Sequence, residues 1–338
     1  MTPSTDWKEV IAPDEAAVFE RLAAQLADLQ KARAAKSAMR RALHAKPNVV
    51  AHATLEVMGA LPAHAAVGLF AQPKTYQAVV RFSNGGGAVQ GDKRPDVRGV
   101  GVKVLGVGGT KLIPGLENAP TQDFLAILSS AVPFRTPEEF VWVVVNSVNP
   151  LAFLFKALAH LGPGRALSLL GALQKGLGAP VPSLAANRYY SALPIRFGAH
   201  AAKYAFVPVG VEPATGSTPD DLGAELAGRL AKGPLGWDLQ VQFFTDERTT
   251  PIEDPTIDWP TPFVKVARLT LAKQDVASER GKKLATWAEH LSFDPWHAPV
   301  EFRPLGAMMR SRSAAYRVST QTRTVSPEPA SIPAELVG

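Results

Sequence analysis

Between Asp14 and about Leu43, the apolar residues Val18, Phe19, Leu22, Leu26 and Leu29 recur every three or four positions. That is the spacing of an amphipathic helix, with Asp14 as N-cap after Pro13 and Pro47 as the stop. The period then changes. VVAHATLEV, TYQAVVRFS and VRGVGVKVLGV are short, rich in β-branched residues and separated by Gly and Pro clusters, the pattern of successive strands. Helical spacing returns from Pro137 to about Leu177, and AKYAFVPVGV, WDLQVQFFTD and FVKVARLTLAK supply three further strands. A last helix is predicted from about Gly306 to Arg323, followed by SPEPASIPAELVG, a Pro-rich tail with no core of its own. Strands do not alternate with single helices, so the fold class is α+β, built round an antiparallel sheet or barrel.

Composition narrows the chemistry. The chain has 338 residues, 46% hydrophobic and 20% charged, enough to bury a large core. It has no cysteine, which excludes a disulfide framework, iron–sulfur clusters, cysteine zinc sites and cysteine nucleophiles. Any metal chemistry must use His, Tyr or carboxylates. Thirty-six Lys and Arg against 30 Asp and Glu give a net charge of +6. The basic residues are scattered except from Lys31 to Lys46, where Arg33, Lys36, Arg40 and Arg41 recur at helical spacing and read as a solvated face. No nucleic-acid partner is therefore expected. The N-terminus carries acids and no apolar h-region, so neither a signal peptide nor a location outside the cytoplasm is expected. The apolar stretch Phe140 to Phe155 is broken by Asn146, Ser147, Asn149 and Pro150, well short of the ~20 clean apolar residues of a membrane span. Buried or interface-facing helices are expected there, and together with ALSLLGALQKGLG they leave a peripheral lipid contact open.

Two glycine clusters, NGGG at Asn84 to Gly87 and GVGG at Gly106 to Gly109, lack the strand–turn–helix setting of a phosphate loop and read as turns. Seven histidines occur, without an HExxH or a close helical pair. His44, in RALHAKP, lies at the hand-over from helix to strand with Arg41 three positions earlier; a histidine at such a junction is, by itself, more often structural. Arg312, Tyr316 and Arg323 stand at i, i+4 and i+11, one face of the last helix. A tyrosine that binds ferric iron must lose a proton of pKa about 10, costing roughly 4 kcal/mol at pH 7, and a neighbouring guanidinium lowers that cost. Arg and Tyr four apart carry little weight alone.

More of the chain bears on these residues. RALHAKP, YQAVVRFSN, PDVRGVGVKV, TQDFLAI, VPFRTPEEF, RFGAHAAKY, WDLQVQFF, DPTIDWP and LSFDPWHAPVEFRPLGAMMRSRSAAYRVSTQTR follow one another from Arg41 to Arg323. In that ordered set the sequence resembles the haem catalases, in particular the short catalase-related proteins. The resemblance implies an eight-stranded antiparallel β-barrel with surrounding helices, haem b with ferric iron as cofactor, and hydrogen peroxide or an organic or lipid hydroperoxide as substrate. It implies an N-terminal helical extension over 1–30, a haem domain over 31–325 and a flexible tail over 326–338, and leaves a homo-oligomer open. His44 then falls at the distal acid–base position and Ser83 at the hydroxyl that orients it. Tyr316 matches the proximal iron ligand and Arg312 the arginine on its phenolate. Arg41, Arg81 and Arg323 match propionate partners, Leu43 replaces a valine over the iron, and Phe134 resembles a pocket aromatic. Leu128 or Ser129 stands where the family has a distal asparagine, and Pro47 where a glycine follows HAK. The altered distal pocket, with the apolar helices from Phe140 to Leu177, places a lipid-hydroperoxide isomerase of allene oxide synthase type beside a peroxidase, with a non-catalytic haem- or lipid-binding barrel as a third reading.

Overall fold

The computed structural model describes residues 2–35, 41–147, 150–323 and 325–337, with backbone only at 150 and 151. Its centre is an antiparallel sheet of nine strands: β1 (Lys46–Val57), β2 (Thr75–Asn84), β3 (Arg98–Leu105), β4 (Thr121–Ile127), β5 (Tyr189–Tyr190), β6 (Ile195–Phe197), β7 (His200–Val209), β8 (Leu235–Phe243) and β9 (Phe263–Leu271). They hydrogen-bond in the order β5-β4-β3-β2-β1-β9-β8-β7-β6. A further pairing, Tyr189 with Phe206 and Tyr190 with Ala205, joins β5 to β7 and closes eight of the strands into a barrel. β5 and β6 are two pieces of one interrupted strand on the same edge of β7, and between them Ala192 takes the left-handed φ of 58°.

Side chains alternate across the wall. Val80, Phe82, Val102, Phe124, Tyr204, Phe206, Trp237 and Leu239 point into a filled interior. Arg81 and Ser83 of β2 lie opposite Gly101 and Gly99 of β3, and these four share the outer face. The outer face of β1 to β4 is covered by α6 (Glu279–Glu289), by Leu291 and Phe293 beyond it, and by Ile332 and Leu336 near the C-terminus.

The remaining helices are α1 (Glu15–Ala34), α2 (Pro137–Asn146), α3 (Pro150–Leu161), α4 (Pro163–Gly178), α5 (Leu222–Lys232) and α7 (Ala307–Thr322). α1 buries Phe19, Leu22 and Leu26 against α2 and α7. No described helix is long and apolar enough to cross a membrane.

The structure corrects three expectations. α1 ends at Ala34, not near Leu43, and the N–H groups of His44 and Ala45 donate to the carbonyls of Gly85 and Gly86. The basic run is not a solvated face: Arg33 donates to the Ala42 carbonyl, Arg41 is paired with Glu289, and Lys46 is paired with the buried Asp92. Lys36 and Arg40 lie outside the described residues. The tail beyond 325 has packing of its own: Ile332 and Leu336 are buried, and Glu328 reaches the fully buried Lys103 at 2.5 Å. The N-terminal segment is tied to α7 as well, since Glu9 and Glu15 both pair with Arg310.

Candidate functional site

The segment 41–45 runs along the outer face of β2 and β3. His44 sits there with a φ of 53°, a left-handed conformation costing a non-glycine residue of order 1–3 kcal/mol unless its surroundings fix it. Both of its backbone groups are held: the N–H donates to Gly85 O at 2.9 Å, and the C=O accepts from Arg81 Nη2 at 3.0 Å. Its Nδ1 shares a 2.9 Å hydrogen bond with Ser83 Oγ. The ring lies against Gly99, where a Cβ would come within 2.6 Å of His44 Cε1; at Gly101 a Cβ would meet Phe293 at 2.9 Å. Burial, with the positive charges of Arg81, Arg312 and Arg41, pushes the His44 imidazole down to about 3. It is neutral at pH 7.

Three arginines from separate segments converge beside it. Arg41 donates to Glu289 Oε2 at 2.7 Å and to the Leu291 carbonyl at 2.8 Å. Arg81 donates through Nε to Glu289 Oε1 at 2.6 Å. Arg323, just past α7, donates to the carbonyls of Glu289 and Leu291, each at 3.1 Å, while its Nε has no acceptor among the described residues. Three guanidinium charges against the one Glu289 carboxylate leave two positive charges in excess. The strain registers at Arg41, which burial and its arginine neighbours bring down to about 9 in spite of Glu289. The same arginines hold Glu289 below the usual carboxylate range even though burial works the other way.

One helical turn apart on α7, Arg312 Nη2 donates to Tyr316 Oη at 2.9 Å, and the guanidinium lies 5.3 Å from the centre of the tyrosine ring. Burial works against the Arg312 charge, but the phenols of Tyr316 and Tyr204 and the Asp294 carboxylate outweigh it and raise Arg312 above the ordinary guanidinium value. Because Arg312 also acts on His44, and Tyr316 on Arg323, the histidine, arginines and tyrosine belong to one electrostatic unit.

Seven of the nine residues singled out from sequence thus come together: His44, Ser83, Arg41, Arg81, Arg323, Arg312 and Tyr316. Leu43 stands next to His44 in the same bend and is half-buried. Phe134 packs against Phe140 of α2, ring centres 5.2 Å apart, and against the barrel interior. Leu128 also lies against that interior, and Ser129 gives its hydroxyl proton to Ala131 O. Neither supplies an amide donor beside His44. Sequence reasoning missed Glu289, the hub of the arginines, and Gly99, which makes room for the imidazole. It also missed that the NGGG turn anchors His44. A lone Glu at a helix end gives no signal, but the unusual density of glycine in RGVGVK could have pointed to a close approach on β3.

A haem b fits the residues present. Its two propionates form a dianion that matches the excess of two positive charges and offers an acceptor to Arg323 Nε. Arg41, Leu43, His44, Arg312, Tyr316 and Arg323 are all half-buried. Tyr316, with Arg312 on its oxygen, is a donor suited to ferric iron.

The closed eight-stranded antiparallel barrel with helices packed outside it is the catalase fold. A fungal catalase superposes with a TM-score of 0.65 at 19% identity, over 89% of this chain and 64% of that one. Catalase A of Saccharomyces cerevisiae gives 0.65 at 17%, over 96% and 68%, and a bacterial catalase 0.59 at 15%, over 96% and 63%. The chain therefore spans about two thirds of the length of these catalases. No family model matches it. A catalase-related peroxidase of Mycolicibacterium paratuberculosis is 29% identical over 302 residues, covering 84% of this chain and 89% of that protein. The structures show that the chain has the catalase fold, and its sequence is similar to that of a catalase-related peroxidase.

Proposed function

We propose that the protein is a haem b-dependent enzyme that metabolises hydroperoxides, in the manner of a catalase-related peroxidase. Tyr316 would bind the iron as phenolate, Arg312 would stabilise its oxygen, and Arg41, Arg81 and Arg323 would hold the propionates. The haem iron, when bound, supplies the redox chemistry that splits the peroxide O–O bond. His44 carries the proton: with Nδ1–H on Ser83 Oγ, its Nε2 takes a proton from one peroxide oxygen and returns it to the leaving one. Burial is the larger cause of the low basicity of His44, and two propionates would relieve the lesser one, the charges of Arg81 and Arg41.

The observation that carries this reading is the convergence of three arginines on a single carboxylate beside a serine-oriented histidine and an arginine-held tyrosine. The deciding experiment is an absorption spectrum of the haem-loaded protein before and after addition of hydroperoxide. Tyr316→Phe should abolish or grossly weaken haem retention. His44→Ala should keep the Soret band and lose the spectral response; undiminished turnover in that variant would remove His44 from its role.

A second reading, isomerisation of a lipid hydroperoxide, is favoured by the absence of an amide at Leu128 and Ser129 and by the exposed Phe155 and Leu167 of α3 and α4, 71% and 63% exposed. Oxygen evolution from hydrogen peroxide, set against consumption of a fatty-acid hydroperoxide by the same preparation, separates the two. A haem spectrum indifferent to either peroxide would mark a non-catalytic barrel.

A further inference from the structure

α3 and α4 form a hairpin about Gly162, which takes a positive φ of 74°, with Pro163 opening α4. One side of each helix is used inside the protein. Phe153 and Ala157, one turn apart on α3, and Ala166 and Leu169 on α4 are buried with Val143 of α2, and the His160 ring stacks on Trp142 with centres 4.6 Å apart. Two residues on from Phe153 the helix points the other way, and there Phe155 is 71% exposed; Leu167 of α4 is 63% exposed. The turn between them, Leu161-Gly162-Pro163-Gly164, carries no charge. Phe155 stands seven residues before Gly162 and Leu167 five after it, each within about 10 Å of the turn along its own helix. The hairpin thus ends in an apolar tip.

The charges around that tip have one sign. No residue between Glu139 and Glu212 is acidic, and six are Lys or Arg, in a chain with 30 Asp and Glu among its 338 residues. Glu139 itself is spent on Arg165, 2.6 Å away. Lys156 and Lys175 are both exposed and meet no carboxylate among the described residues; Lys156 donates only to the Asn146 amide oxygen, at 3.1 Å.

This surface complements a partner that accepts apolar side chains without a preformed pocket and carries phosphate charge where the lysines would meet it. A second copy of the chain does neither. Pairing two hairpins would bring the lysines of both together with no acid to answer them, and two large exposed side chains fall short of the ~800 Å² that each side of a stable interface buries. We propose that the α3–α4 hairpin is a docking surface for an anionic lipid bilayer, with Phe155, Leu167 and the turn at 161–164 entering the headgroup region and Lys156 and Lys175 drawn to the lipid phosphates. The proposal stands apart from the peroxide chemistry, since it invokes none of the residues of the His44–Tyr316 cluster.

The test is flotation of the full chain as purified with vesicles of phosphatidylcholine, with and without phosphatidylglycerol, and a melting transition recorded for every variant. The expected result is binding to the anionic vesicles that is weaker by about tenfold or more on phosphatidylcholine alone and likewise in high salt. Phe155→Ser with Leu167→Ser should weaken it about tenfold or more, and so should Lys156→Gln with Lys175→Gln. Val10→Ser with Ile11→Ser, which removes two apolar side chains as exposed as those of the hairpin, should leave it unchanged. Failure to float with the anionic vesicles overturns the proposal. So does flotation that ignores both hairpin variants, or that falls equally in the Val10 and Ile11 variant, the mark of general adsorption. A dimer in sedimentation equilibrium that Phe155→Ser dissolves would assign the face to a second copy and overturn it too. Should Phe155→Ser with Leu167→Ser lose the wild-type melting transition, the lysine variant decides the matter.

Discussion

Glu289→Gln isolates the charge balance of the arginine cluster. In the haem-free chain Glu289 accepts at 2.7 Å from Arg41 and 2.6 Å from Arg81, and it is the one carboxylate paired with them. Hydrogen bonds to charged groups contribute roughly 1.5–3 kcal/mol each when buried. The carboxylate is 29% exposed, and glutamine keeps one acceptor oxygen, so about 2 kcal/mol in total is the expected loss for the haem-free protein. At about 2 °C per kcal/mol for a chain of this size, the melting temperature should fall by about 4 °C. With haem bound, two propionates supply the compensating charge, and the same substitution should cost under about 1 kcal/mol. Differential scanning calorimetry of both forms, with and without the substitution, measures the two losses. An equal fall in the two forms would refute the claim that Glu289 and a dianion serve the same arginines.

Other consequences are as direct. Gly99→Ala places a Cβ 2.6 Å from His44 Cε1, so the imidazole must leave Ser83; peroxide turnover should fall at least tenfold with haem content preserved, as pyridine haemochrome assay and initial rates would show. His44 should remain neutral to about pH 4 by histidine NMR, because burial and, after it, the charges of Arg81, Arg312 and Arg41 disfavour its protonated form. The linkage runs the same way. The unfolded chain protonates His44 near pH 6.5 while the folded chain resists to about 3, so stability is lost as pH falls through that window, at up to about 1.4 kcal/mol per pH unit, a slope that His44→Ala should remove from pH-dependent melting curves. Glu328→Ala leaves the buried Lys103 with Asp123 alone and should cost about 2–4 kcal/mol in urea denaturation and expose the segment beyond 325 to proteolysis.

What the amino-acid order determined by itself was local and periodic. The alternation in TYQAVVRFS and the three-to-four spacing in α1 and α7 depend on neighbours along the chain, and strands and helices form at those patterns, although α1 stops short of Leu43. Arg312 and Tyr316 were legible as a pair because one helical turn brings them together without help from the rest of the fold. Closure of the barrel was not legible from period alone. It depends on a two-residue strand, β5, reaching β7, a pairing too short to leave a pattern.

The tertiary structure alone decided which charges meet. Arg41, Arg81, Glu289 and Arg323 are spread over nearly the whole chain, and no local rule pairs them. In the sequence Arg41 belonged to a basic run; in the fold it is drawn out of that run by a carboxylate 248 residues away. Past the end of α1, the backbone of His44 finds its partner in a glycine turn that local propensity cannot see. The C-terminal segment, polar and proline-rich when read in isolation, is held by one ion pair to Lys103 and two buried aliphatic side chains supplied with partners from β1 to β3 and α6. Periodicity fixes which face of an element is apolar, but the electrostatic energy of a buried group depends on distances between elements, and only the assembled fold sets those.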